Sequence, residues 1–225
     1  MSIKKEILKP DRFYDIYNHA VGNDKLFFIE NNYIYFLTKF SEYISPIADM
    51  YAYCLMSNHF HLLVKIKSED EIFYFLKDNN KIPEPELSLD EFKILSESHP
   101  EIDYFNLHLT KQFSIFFNGY AQAINNQEKR KGNLFIKGFR RIEISSSEYL
   151  KDLILYIHTN PVHHQFTDKV DSWKHSSYNS ILSDKPTRLK RDEVIELFDG
   201  KENFIFCHQA KNEELIQRIE LIMNE

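Results

Sequence analysis

The sequence predicts an α+β sandwich with at least one antiparallel hairpin, and three observations carry that prediction. Segments with period-2 patterning and segments with helical spacing follow one another irregularly, without the strict β-α-β alternation of a parallel sheet. Two of the strand segments, 51–55 and 60–66, are separated only by Met56-Ser57-Asn58, a connection short enough to force an antiparallel hairpin. At 225 residues with 43% hydrophobic content, the chain is long enough to bury the core of such a sandwich.

Taken in order, FYDIYNHA (13–20) alternates as a first strand, and Gly22-Asn23-Asp24 reads as the turn that ends it. From Glu30 to Tyr43 the apolar positions recur at helical spacing, with Pro46 just beyond. The hairpin of 51–55 and 60–66 follows, then a short helix over 69–77. Residues 78–103 are polar and acidic and carry Pro83, Pro85 and Pro100, so they read as an insertion, with LDEFKIL able to form a helical turn or two. A long helix is expected from Tyr104 to Ile124, with Leu109, Phe113, Phe116, Phe117 and Tyr120 on overlapping faces. Phe139–Ile144 reads as a strand. Ser145 and Glu148 have the S-x-x-E spacing of a capping box, opening a helix through Leu150, Leu153, Ile154 and Ile157. Asn160-Pro161 is expected to close that helix, because the residue before proline resists helical geometry. An amphipathic helix near 212–223 ends the chain.

Composition excludes several classes. No run of eighteen apolar residues is present, so no segment is expected to span a membrane. The N-terminal MSIKKEILKPDR lacks the apolar stretch of a signal peptide. Cys54 and Cys207 are too few for a disulfide framework, which points to the reducing cytoplasm. The five glycines never take the spacing of a phosphate-cradling loop. A net charge of −6 argues against nonspecific coating of nucleic acid, yet KRKGNLFIKGFRR (129–141) is a local basic strip without an acid. Its cations are Lys129, Arg130, Lys131, Lys137, Arg140 and Arg141, interleaved with Phe135 and Phe139. Such a run is either a solvated face or a track for a single strand, whose phosphates and bases need positive charge and π-faces.

Two constellations carry chemistry. His59 and His61 are two apart on a strand, so both imidazoles face one side, where they would suit a divalent cation, while Phe60, Leu62 and Val64 face the core. Two surface or core histidines would give the same spacing. Tyr156 and Asn160 lie four apart on a helix and share a face. Tyr156 is either an amphipathic core residue or a phenolic nucleophile. Free tyrosine, with a pKa near 10, attacks poorly unless a cation polarises its target.

YCLMSNHFHLLVKI (53–66) resembles the signature strand of the HUH endonucleases, named for His, a bulky hydrophobe, His. More narrowly, the chain is similar to IS200-like single-tyrosine transposases, above all the REP-associated kind. The similarity runs through GNLFIKGFRRIEISSSEYLKDLILYIHTNPVHH (132–164) and DSWKHSSYNSIL (171–182), in the right order. It implies a central antiparallel sheet flanked by helices, the ferredoxin-like or RRM-like HUH sandwich, over 1–182, with 183–225 as a partly helical C-terminal extension. It implies Tyr156 as nucleophile and His59, His61 and Asn160 as ligands to Mg²⁺ or Mn²⁺. The reaction would cut single-strand DNA beside a hairpin or palindrome, leaving a 5′-phosphotyrosine and a free 3′-OH, so that rejoining needs no ATP. Lys129, Arg130, Lys131, Lys137, Arg140 and Arg141 would follow the DNA backbone, with Phe135 or Phe139 as stacking platforms. His158 is expected to be structural or to touch DNA. The resemblance leaves monomer and homodimer both open, and a domesticated hairpin-binding relative or a metal-containing RNA-binding module remains as an alternative.

Overall fold

The computed structural model describes residues 6–79, 87–98, 103–136, 138–209, 216–219 and 221. Four strands, β1 (Phe13–His19), β2 (Ala48–Leu55), β3 (His59–Ile66) and β4 (Arg140–Ile144), form one sheet in the order β2-β3-β1-β4. Every neighbouring pair is antiparallel. With α1 (Glu30–Tyr43) between β1 and β2 and α4 (Tyr104–Gln127) between β3 and β4, the connectivity is that of a split β-α-β ferredoxin-like sandwich. The α+β expectation holds. The expected hairpin forms, its turn closed by the Met56 N–H donating to the His59 carbonyl at 2.8 Å.

Alternation along the strands sorts the molecule into two cores. Tyr14, Ile16 and Ala20 of β1 and its bridge join Phe60, Leu62 and Val64 of β3 against Phe36 and Phe40 of α1 and Phe113, Phe116 and Tyr120 of α4. The opposite face would be bare in a minimal sandwich. Here it is covered by α5 (Ser147–His163), whose Leu153, Ile154 and Ile157 pack with Leu63 of β3. Val194 of α7 (Arg191–Leu197) and Phe204 of α8 (Lys201–Gln209) complete that second core, so residues beyond 182 share it with the tyrosine helix.

Some boundaries differ from expectation. β2 begins at Ala48, three residues early, because Ala48–Met50 still pair with β3. The N-cap of α5 is Ser146, whose side chain accepts from the Tyr149 N–H, so the capping unit sits one residue on from Ser145. Pro161 does not close α5. The helix runs to His163, since proline in a last turn forfeits one hydrogen bond without blocking those after it. Within the acidic 78–103 stretch, α2 (Glu69–Asp78) ends and α3 (Leu89–Ser98) forms; Phe92 of α3 is fully buried in the first core. Of the amphipathic segment expected near 212–223, residues 216–219 and 221 are helical and the rest lie outside the described residues. The last short elements are a 3₁₀ turn (Val170–Ser172) and α6 (Tyr178–Leu182).

Candidate active site

The face of the sheet beneath α5 carries a row of polar side chains from β1 and β3. Register sets them opposite one another, Tyr17 with His61 and His19 with His59. The rings stack across the strands, at 5.3 Å for Tyr17–His61 and 4.6 Å for His19–His59. α5 lies across this row. The Tyr156 ring meets His61 edge-on at 5.5 Å, and Asn160, one turn later, places Oδ1 3.3 Å from His59 Nε2. Next along the same helix face, the His164 ring lies 4.9 Å from that of His59. Residues separated by about a hundred positions in sequence therefore converge, because a period-2 strand and a period-3.6 helix each turn one face inward.

Hydrogen bonds set the tautomers. Asp15, wholly buried on β1, accepts from His61 Nδ1–H at 2.9 Å, which leaves His61 Nε2 as the lone-pair nitrogen. Asn58 Oδ1 accepts from His59 Nδ1–H at 2.8 Å, with the same result for His59. Burial, then neighbouring His61 and His19, hold His59 down to about 2, so it is a neutral imidazole at ordinary pH. With Asn160 turned as it is, its carbonyl oxygen and the His59 lone pair face each other without a proton between them. The Asn160 Nδ2 is buried with no hydrogen-bond partner among the described residues. Two imidazole nitrogens and an amide oxygen, each imidazole oriented by an oxygen behind it, form a set that suits a divalent cation. No group of three or more His, Cys, Asp or Glu suited to a metal occurs among the described residues, so a cation here would rest on two histidines and an amide.

A second buried chain fixes the helix from behind. His208 Nδ1–H of α8 donates to the Phe204 carbonyl at 2.7 Å, leaving Nε2 to accept from His158 Nδ1–H at 2.9 Å. His158 Nε2 then accepts from the Ser177 hydroxyl at 2.7 Å, and Ser177 Oγ accepts from the Tyr53 N–H of β2 at 2.9 Å. Burial keeps His158 well below the ordinary histidine range and pushes His208 down to about 4. His158 lies between Tyr156 and Asn160 in sequence. It is wholly buried and bonded through both ring nitrogens, so in this fold it presents no surface to a ligand.

The basic strip divides. Arg140, exposed at the end of β4, lies on the site face with its guanidinium 6.0 Å over the Tyr17 ring. Arg141 points through the sheet, where it donates to the Glu6 carbonyl and, at 2.9 Å, to Thr110 Oγ1; only 9% of it is exposed. That corrects its expected place on a DNA backbone track, and strand alternation is the reason. Arg130 is also committed, to Asp24 and, at 2.8 Å, to Asn125. Lys129 and Lys131 are exposed, and Lys137 lies outside the described residues. Phe139 is buried against Phe113 and Phe117, with the Arg141 guanidinium 5.3 Å over its ring, which removes it as a stacking platform. Phe135 is half-buried and packs edge-on against Phe117 at 5.6 Å.

Sequence reasoning singled out neither Asp15 nor Asn58 and gave His164 no role. A signal for the first existed: Asp15, Tyr17 and His19 alternate along β1, so one face of an otherwise apolar central strand is polar. No helix among the described residues is long and apolar enough to cross a membrane.

No family model matches the sequence, and no curated protein matches it either. Among solved structures, a REP-associated tyrosine transposase bound to a REP hairpin matches over 83% of this chain and 89% of its own, with a TM-score of 0.54 and 11% identity. At that identity the likeness is one of fold, and the chain shares the architecture of that hairpin-bound transposase.

Proposed function

We propose that this protein is a metal-dependent nuclease that cuts and rejoins single-strand DNA beside a hairpin, through a 5′-phosphotyrosine at Tyr156. The observation that carries the reading is the meeting of Tyr156 and Asn160 of α5 with His59 and His61 of β3 on one sheet face. The fold shared with a REP-hairpin-bound transposase supports it. In the reaction, Tyr156 Oη attacks the scissile phosphorus and loses its proton; the P–O3′ bond breaks and the 3′ oxygen leaves as a hydroxyl. His59, His61 and Asn160 would hold Mg²⁺ or Mn²⁺, which when bound would polarise the phosphate and offset its developing charge. Asp15 and Asn58 keep both imidazoles turned toward that place. Arg140, exposed on the same face, would contact the flanking DNA backbone. Tyr156 is only 4% exposed, so the reading requires α5 to give way when DNA enters.

The same burial favours a second reading, a hairpin-binding protein that does not cleave. One experiment separates the two. Labelled single-strand hairpin DNA and Mn²⁺ are incubated with the protein, and label is sought on the protein band under denaturing conditions. The nuclease reading expects a chelator-sensitive adduct that vanishes in Tyr156→Phe while hairpin binding persists. An adduct of undiminished yield in Tyr156→Phe would remove Tyr156 as nucleophile. Binding without any adduct across a varied hairpin pool would favour the second reading.

A further inference from the structure

On the side of the sheet away from Tyr156, α4 and residues 132–136, 138 and 139 enclose an open groove of about 540 Å³. Its walls are built firmly. Asn18 of β1, 4% exposed, donates through Nδ2 to the Ile136 and Gly138 carbonyls at 3.3 Å each. Asn125 Nδ2 donates to the Gly132 carbonyl at 2.9 Å, and the Ile136 N–H donates to the His19 carbonyl, also at 2.9 Å. That last bond ties the groove rim to the strand end that carries His19 on the opposite face. Asn18 faces the groove, and the residue after it faces the tyrosine site.

The lining has an unusual chemistry. Ser114, Asn118, Gln122 and Asn126 follow one another at i, i+4 spacing and form a polar ridge along α4, beside Phe117 and the half-buried Phe135. Asn118, Gln122 and Asn126 are exposed, and their carboxamides make no hydrogen bond among the described residues. Among the described residues no lining residue is charged. Between Lys111 and Glu128 the helix holds no charged residue at all, although a solvated helix face normally carries Lys and Glu. Asparagine is moreover a poor helix former, so helix stability does not explain Asn118 and Asn126.

A row of carboxamides beside an aromatic ring suits a flat, neutral ligand with paired donors and acceptors on its edge. Phosphate would call for cations, and an apolar ligand would not need the amides. A nucleobase has the right edge, since Asn and Gln pair bidentately with adenine in particular, and Phe135 offers it a ring. We propose that this groove holds an unpaired base of the DNA strand, adenine by preference, and so selects sequence beside the cleavage site. The inference rests on the single-strand DNA reading above.

The full chain is irradiated with short single-strand DNAs carrying one photoactivatable base, 8-azidoadenine or 4-thiothymine, and labelled peptides are mapped by mass spectrometry. The expected result is labelling within 114–126 and 132–136, stronger with the adenine probe. In Asn118→Ala with Gln122→Ala, both exposed positions, that labelling should fall about tenfold with the melting temperature unchanged. Labelling confined to the face around Arg140, or groove labelling that the double variant leaves intact, would overturn the inference and leave DNA binding standing. Absence of labelling anywhere, together with absence of hairpin binding in solution, would overturn both.

Discussion

Replacing Asp15 with asparagine tests whether the histidine pair is a metal site without needing its DNA substrate. Asp15 is wholly buried and accepts from His61 Nδ1–H at 2.9 Å, so its charge makes Nε2 of the same ring a better donor. Loss of such an outer partner typically weakens metal binding by about 10–100-fold. That span corresponds to about 1.4–2.7 kcal/mol. Asparagine keeps the volume and can still accept the same hydrogen bond, so only the charge is lost and the effect should lie near tenfold. Asp15→Ala removes the acceptor as well and should approach a hundredfold. The assay is calorimetric titration with Mn²⁺ at neutral pH, with thermal melting of the metal-free proteins as the check on folding. His59→Ala combined with His61→Ala should abolish binding. Equal Mn²⁺ affinity in wild type and Asp15→Ala, or Mn²⁺ still bound tightly by the double histidine variant, would refute the assignment.

Adjacent arginines should separate cleanly. Arg140→Glu should leave stability within about 0.5 kcal/mol, weaken hairpin DNA binding, and flatten the log–log salt slope by about 0.9. Arg141→Met should instead lower stability by about 1–3 kcal/mol in a denaturant titration, because the Glu6 carbonyl and Thr110 lose a buried donor. The reverse pattern would undo the division of the basic strip. The buried histidines predict acid sensitivity. His208, held down to about 4 by burial, is neutral in the fold while the unfolded chain protonates near 6.5, so its stabilisation is complete above 6.5 and is lost as pH falls toward 4. The loss is on the order of 3 kcal/mol, read as a falling melting temperature that His208→Phe should partly flatten. A flat wild-type profile over that range would mean that His208 opens to solvent.

The sheet, its hairpin and the three long helices were legible because each rests on a short-range period. α1 was readable to the residue, since helical spacing runs cleanly from Glu30 to Tyr43. So was the shared face of His59 and His61, which alternation alone dictates. Ends read less well: β2 is extended by its pairing with β3, and Pro161 lies inside a last turn where its missing N–H costs little.

Which face each side chain meets is settled by packing. In KRKGNLFIKGFRR the charges look equivalent, yet β4 sends Arg140 to the site and Arg141 through to α4, because neighbours on a strand point opposite ways. Phe139 resembled a base-stacking ring until α4 closed over it. Asp15 became a partner of His61 only through the β1–β3 pairing, and His158 a buried link only once α8 arrived to meet it. Local periods are written in the chain; partners fifty or a hundred residues away are chosen by packing.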